Sequence, residues 1–243
     1  MSGNDMEKQR VENCAKSGNY ARGVMAYTTA YCGEIFRRYM VPGGRVLELG
    51  PAEGIMTNLL YPFFNDYTVV DGATFFVDEL KKRYPDIKAY TSLFEEFVPN
   101  EVYDNIILGH VLEHVENPVG ILRLCSEWLV PNGKILCAVP NANSLHRQAA
   151  VEMGLLKYCN ELNRTDIENG HRRVYDVQSF RQNFIDAGLS IKKFGGYWLK
   201  PLSNAQIDND WTNEMIAAYL KIGEKYPEIA AEIYVVAEKK MER

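Results

Sequence analysis

The sequence predicts an α/β protein built on a doubly wound, mostly parallel sheet, and three observations carry that expectation. Short apolar runs alternate with helix-length amphipathic segments from residue 45 to about residue 140, the pattern of βαβ units with right-handed crossovers. The first run ends in a glycine-bearing turn, and an acid closes the second run about twenty residues on, the spacing of a ligand-binding crevice at a switch point. The last third departs from simple alternation and reads as added helical pieces around further strands.

Element by element, RVLELG (45–50) is the first strand and TNLLYPFF (57–64) the helical segment after it. YTVVDG (67–72) is the second strand, followed by the helix FFVDELKKRY (75–84), which Pro85 stops. DIKAYT (86–91) and YDNIILG (103–109) are the third and fourth strands. The helix PVGILRLCSEWL (118–129) begins behind Asn117 as cap with Pro118 at its first position. GKILCAVP (133–140) is the fifth strand, LSIKKFGGYW (189–198) the sixth and AEIYVVAEKK (231–240) the closing one. The helices DVQSFRQNFIDAG (176–188) and DNDWTNEMIAAYLKIGEKY (208–226) precede the last two strands. Residues 19–40 predict an amphipathic helix or helix pair beside the sheet.

At 243 residues the chain can bury one substantial core. No repeat or Gly/Ser-rich linker divides it, so a single domain is expected. Its parts are an N-terminal helical segment (1–44), a ligand-binding half (45–140), an inserted cap (141–175) and a C-terminal half (176–243) with a helical insertion at about 199–230. The cap has a helical pattern of its own in SLHRQAAVEMGLLKY. A net charge of −5 argues against a nucleic-acid-binding face. No apolar run is long enough to span a membrane, and the polar N-terminus gives no secretory signal. Five scattered cysteines without a C-x-x-C pair predict reduced thiols in a cytoplasmic protein.

His110-Val-Leu-Glu113-His114 matches the H-x-x-E-H pattern of inverted zinc proteases, so a zinc hydrolase is one alternative. It fails on context. The motif needs a helix holding both histidines on one face, but here it falls between a strand and the next helix start, with no third ligand signalled downstream.

The turn Glu48-Leu-Gly50-Pro-Ala52-Glu-Gly54 offers backbone that a ligand can approach closely and free N–H groups at a helix start. Asp71 at the end of the second strand can accept from both hydroxyls of a ribose. The template G-x-G-x-x-G of dinucleotide sites is not met, since Ile55 stands at its last position. Glu48 and Glu53 would repel a pyrophosphate, whereas a carboxylate two residues before the first glycine suits a cationic ammonium.

LELGPAEGIMT, VVDGA, YDNIILGHVLEHVENP, LVPNGKILCAVPNANS and GHRRVY resemble successive motifs of the class I S-adenosylmethionine-dependent methyltransferases, over roughly residues 40 to 195. The resemblance is nearest to the ubiquinone-biosynthesis O-methyltransferase-like branch of small-molecule methyltransferases. It implies a Rossmann-like seven-stranded sheet with an antiparallel last strand, S-adenosyl-L-methionine as cofactor, and methyl transfer to an oxygen or nitrogen of a small molecule, oxygen favoured. It places Glu48 and Gly50 beside the methionine portion, Asp71 at the ribose, and Ser92, Leu93 and Phe94 at the adenine, with Gly54 and Gly72 also among the cofactor-binding residues. His110 falls near the sulfonium, and Tyr20 and Tyr27 could close the pocket. Ala52 and Pro51 depart from the usual loop. In ubiquinone-type relatives the stretch at 110–114 resembles E-x-x-E-H, which can bind a divalent cation. His110 replaces the first Glu, and no metal requirement is expected.

Methyl transfer to a protonated nucleophile needs a base, and His suits that role at neutral pH. His114, on the rim after the fourth strand, ranks first and His171 second; His146 has the weakest case. Arg172 and Arg173 could hold an anionic group of the acceptor, and Tyr197 could line its pocket. A catalytically silent cofactor-binding or regulatory domain is the other alternative.

Overall fold

The computed structural model describes residues 3–17 and 21–240. Tyr20 lies outside them. Two N-terminal helices, α1 (Gly3–Ser17) and α2 (Gly23–Arg37), precede β1 (Val46–Leu49). Then come α3 (Ile55–Leu60), a short 3₁₀ turn (Tyr61–Phe63), β2 (Tyr67–Asp71), α4 (Thr74–Arg83), β3 (Lys88–Thr91), β4 (Tyr103–Gly109), α5 (Pro118–Trp128) and β5 (Leu129–Pro140). The remainder is α6 (Leu145–Glu152), α7 (Arg164–Glu168), α8 (Val177–Asp186), β6 (Leu189–Tyr197), α9 (Asn204–Asp210), α10 (Asn213–Gly223) and β7 (Glu232–Lys239).

The seven strands form one sheet in the order β3-β2-β1-β4-β5-β7-β6. Pairs from β3 through β5 are parallel, and β7 runs antiparallel to both β5 and β6. The expected mostly parallel, doubly wound sheet with an antiparallel last strand is therefore present. The chain leaves β1 toward β2 on one side and reaches β4 on the other, which opens a crevice at the carboxyl ends of these strands.

Strand periodicity decides which side chains meet which helices. Leu47 and Leu49 of β1 join Ile106, Leu108, Ile135 and Cys137 in a core under α5 and α8. Val46 points to the opposite core with Val69, Ile107 and Leu136, beneath α2, α3 and α4. Both faces are covered, so the central strands are near-continuous apolar runs. Each fully buried aliphatic side chain there contributes about 1.5–3 kcal/mol of transfer free energy. Cys32, Cys125 and Cys137 are buried free thiols; Cys14 and Cys159 are half-buried. No helix among the described residues is long and apolar enough to cross a membrane.

Three elements differ from expectation. The helix expected over 208–226 is two helices: Trp211 is extended and ends α9, and Thr212 caps α10 by accepting from the Met215 N–H. The capping residue stands inside what looks like one apolar periodicity. β5 begins at Leu129 rather than Gly133, because Tyr103 pairs with Leu129 before the register shifts. In the 141–175 segment α6 stops at Glu152, just before Gly154 with φ +70°. That segment then forms a second helix, α7, whose capping box joins Asn163 and Asp166.

Candidate active site

A cavity of about 580 Å³ lies over the carboxyl ends of β1, β2 and β4, and α1, α2 and the 141–175 segment also line it. Such a volume falls within the roughly 300–1,000 Å³ of small-molecule sites.

Its β1–β2 end is built from the glycine turn. Gly50 has φ +67°, and a Cβ there would stand 3.0 Å from Val111 Cγ2. Ala52 also adopts a positive φ, 46°, which turns its N–H toward Asp71 Oδ2 at 3.3 Å. Asp71 Oδ1 accepts from the Ala73 N–H at 2.8 Å. Burial raises the Asp71 pKa to about 6 despite those two donors. Glu48 shares the β1 face of Val46 and is buried below the cavity. Its Oε2 accepts from Thr57 Oγ1 (2.7 Å) and the Tyr67 hydroxyl (2.8 Å), and burial raises its pKa to about 7.

Glu48, Gly50, Asp71 and Gly72 line the cavity. So do Ser92, Leu93 and Phe94, with the Ser92 N–H bonded to the Asp71 carbonyl at 3.0 Å. Two residues that the sequence assigns to cofactor binding stand outside the lining. Gly54 caps α3 at φ +79°, where a Cβ would strike Leu80 Cδ2 at 2.5 Å; close packing of α3 on α4 explains it. Tyr27 is exposed on α2, while Met25 and Thr29, one turn apart on the other face of the helix, reach the cavity.

The β4 end is densely polar. His110 has φ +59° and ends β4, its N–H bonded to the Ala138 carbonyl at 2.9 Å. Residues 111–114 turn rather than form a helix, so His110 and His114 share no helical face and the zinc-protease alternative fails. His110 Nε2 lies 3.1 Å from the Tyr197 hydroxyl. Its Nδ1 stands 3.6 Å from Glu113 and 3.7 Å from Glu232. Burial pulls the His110 pKa down, but the Glu232 and Glu113 carboxylates outweigh it and hold it above the ordinary value.

His114 and His171, the two histidines favoured from sequence, both line the cavity. The His114 ring keeps Nδ1 3.3 Å from the Gly170 carbonyl, and burial lowers its pKa to about 4, so the ring is neutral at pH 7. His171 Nδ1 is 3.4 Å from Asp166 Oδ1. Asp166 is itself fixed by Arg147 Nη1 at 3.0 Å and by the cap of α7.

Arg172 and Arg173 do not reach the cavity. Arg172 donates to the His114 carbonyl (2.9 Å) and to Glu7 (2.7 Å). Arg173 donates to the carbonyls of Leu112 (2.8 Å), Val115 (2.5 Å) and Glu116 (3.1 Å). Their guanidinium groups brace the loop after β4, and Arg172 also ties that loop to Glu7 of α1. Tyr197 is fully buried behind His110 rather than lining the cavity.

Other residues at this end carry no motif. Lys200, whose Nζ donates to Asn204 Oδ1 at 2.8 Å, has its pKa lowered to about 8 by burial. Glu232, from β7, has its pKa raised by burial. His146 lines the cavity too, its pKa lowered to about 2 by burial. Helix α1 closes the cavity: Arg10 donates to the carbonyls of His114 and Gly170, each at 3.2 Å. Only the spacing of Arg10 from Glu7, a helical i,i+3 pair, is visible in the sequence.

The sequence model of a family described as a methyltransferase domain matches residues 24–193, more than half of the chain. The chain belongs to that methyltransferase family. Solved structures share its fold. One is an S-adenosylmethionine-dependent methyltransferase from Mesorhizobium loti, at TM-score 0.61 and 15% identity, covering 86% of this chain and 98% of that one. Another is a putative methyltransferase complexed with the Trm112 activator of Haloferax volcanii, at TM-score 0.63 and 15% identity, over 100% and 99% of the two chains. A third is the N-methyltransferase NodS of Bradyrhizobium japonicum with S-adenosyl-L-homocysteine, at TM-score 0.53 and 15% identity, over 88% and 86%. No curated protein matches the sequence.

This methyltransferase is therefore an enzyme, with S-adenosylmethionine as its cofactor. The site fits that group: a cradle at Gly50 that a side chain would crowd, and a buried acid at the end of β2. Membership sets aside the silent-domain alternative.

Proposed function

We propose that this methyltransferase transfers a methyl group to a small polar acceptor, on an oxygen in preference to a nitrogen. One observation carries the reading: a single cavity joins the turn-and-acid end at β1–β2 to a polar end where His114 and His171 face inward. In this reading Asp71 binds the ribose, Glu48 and Gly50 lie beside the methionine portion, and Ser92, Leu93 and Phe94 border the adenine. His110 stands nearest the sulfonium. S-adenosylmethionine supplies a methyl carbon already activated by that sulfonium.

The chain's own work is then to bind, align and exclude water. Helix α1, tied down through Arg10, covers the cavity. His114 and His171 sit where the acceptor's reacting group must lie, and a neutral imidazole serves a hydroxyl there better than an imidazolium. The polar lining at Lys200, Asn204, Glu232 and Asn141 suits hydrogen-bonding groups on the acceptor. A place near the ubiquinone-type O-methyltransferases rests on the resemblance of the sequence motifs alone.

Methyl transfer from labelled cofactor to a library of small hydroxyl- and amine-bearing acceptors tests the reading. Labelled methyl ethers support it, labelled amines alone would move the acceptor to nitrogen, and labelling only of macromolecules would overturn it.

A further inference from the structure

We propose that Lys200 selects the acceptor: its ammonium binds a carboxylate on the small molecule whose other end is methylated. The inference rests on the methyltransferase reading of the cavity and names the class of acceptor, a hydroxy acid.

Lys200 is a cation without a counter-ion. It lines the cavity, and its Nζ donates to the neutral Asn204 Oδ1 at 2.8 Å. The carboxylates that feel its charge, Glu232, Asp166 and Asp208, are each engaged elsewhere. Glu232 stands 3.7 Å from His110 Nδ1, Asp166 takes Arg147 at 3.0 Å, and Asp208 takes the Val24 N–H at 2.7 Å. Burial lowers the Lys200 pKa to about 8, so it is mostly an ammonium at pH 7. A charge taken from water without its opposite is unfavourable, and a ligand carboxylate supplies that opposite.

The backbone holds the ammonium in place. Trp198, just after β6, has φ +66°, a left-handed conformation that bulky residues rarely adopt. Its N–H donates to the Leu220 carbonyl at 3.2 Å, and its carbonyl accepts from the Ala231 N–H at 2.7 Å. The Leu199 N–H donates to the Tyr219 carbonyl at 2.9 Å, and Pro201 keeps Lys200 out of helical backbone. Strained backbone held this firmly by its surroundings is a mark of binding sites.

The charge count favours a carboxylate over a phosphate. Asn204 supplies a second donor: its Nδ2 is 3.2 Å from Met25 Sδ, a weak acceptor that a carboxylate oxygen can replace. Arg147, the other cation beside Lys200, is spent on Asp166 and the carbonyls of Cys159 and Glu161. A phosphate dianion would therefore meet Glu232 and Asp166 with one free positive charge to offset them. Lys200 also enters from the β6–β7 edge of the sheet, opposite the β2 side that holds Asp71. The carboxylate it binds is the acceptor's rather than the cofactor's. Arg172 and Arg173, the cations the sequence offers for that role, brace the loop after β4 instead.

The test compares hydroxybenzoates and short aliphatic hydroxy acids with their primary amides and their phosphonate counterparts. Methyl transfer is one readout, and calorimetry on the full chain loaded with S-adenosylhomocysteine is the other. The acids should bind and be methylated in preference to both. Lys200→Met should weaken the acids by roughly 10–100-fold and abolish their preference over the amides, with S-adenosylhomocysteine still bound. Lys200→Arg should restore part of that preference. Acids and amides bound alike, equal losses for both in Lys200→Met, or a preference for phosphonates would overturn the proposal. So would weakened S-adenosylhomocysteine in Lys200→Met, or no acid bound by a chain that binds S-adenosylhomocysteine. Failure of the parent to bind S-adenosylhomocysteine would instead strike the methyltransferase reading.

Discussion

His114 and His171 meet edge to face with ring centroids 4.8 Å apart, although one follows β4 and the other ends the 141–175 segment. Two backbone carbonyls carry that meeting. Arg10 of α1 bonds the carbonyls of both His114 and Gly170, and Arg172 bonds the His114 carbonyl again. Three distant stretches are thus stapled around one corner of the cavity, and the corner is where the account places the acceptor.

His114→Ala removes a ring from that corner without touching the β1–β2 end. Turnover should fall by roughly 10²–10⁴-fold, the span of groups acting directly on a reacting proton. S-adenosylhomocysteine affinity should stay as in the parent. Product formation with an acceptor from the library screen measures the first, calorimetry the second. Near-parental turnover would remove His114 from the acceptor's surroundings.

Asp71→Asn tests the other end. The carboxylate accepts from Ala52 and Ala73 and, in the proposal, from the ribose. A hydrogen bond to a charged group contributes about 1.5–3 kcal/mol, so binding of S-adenosylhomocysteine should weaken by roughly 10–100-fold. An unchanged affinity, read by calorimetry, would place the ribose elsewhere.

Glu48 gives a pH signature. Its pKa is about 7 in the folded chain against an ordinary 4.5, with burial as the leading cause. The folded state keeps a proton that the unfolded state has already lost between those values. Stability from this group is therefore complete below pH 4.5 and is lost as pH rises through 7. Glu48→Gln lacks that loss and can still accept from Thr57 and Tyr67. Its Tm should rise relative to the parent from pH 5 to pH 8, by a difference worth up to about 3 kcal/mol. A pH-independent difference in thermal melts would contradict the assignment.

Gly54→Ala separates packing from ligand contact. The new Cβ meets Leu80 Cδ2 at 2.5 Å in a backbone with φ +79°. Denaturant unfolding should show a loss of about 2–4 kcal/mol from overpacking and backbone strain together. Intact stability with lost cofactor binding would return Gly54 to the binding surface.

The sheet was legible because the central parallel strands are buried on both faces, so Leu47-Glu-Leu49 and Ile106-Ile-Leu108 stand out as apolar runs between amphipathic helices. The turn at Gly50 and the acid at Asp71 were legible because they lie at adjacent strand ends, a relation that spacing encodes. The polar end of the cavity was less so. Glu232 and Lys200 reach it from β7 and the β6–α9 connection, and no local pattern distinguishes them from surface charges. Arg172 and Arg173 looked like ligand-binding residues in a GHRRVY run, but carbonyls of the 112–116 loop take their N–H groups, a contact that depends on tertiary structure. Tyr27 failed for a helical reason: at two positions from Met25 it faces away from the side that meets the cavity.

A crystal structure of the chain with S-adenosylhomocysteine tests the central claim most directly. The account predicts the ribose hydroxyls on Asp71 and the sulfur facing the corner formed by Glu113, His114 and His171. A ribose away from Asp71, or a sulfur turned away from that corner, would contradict it.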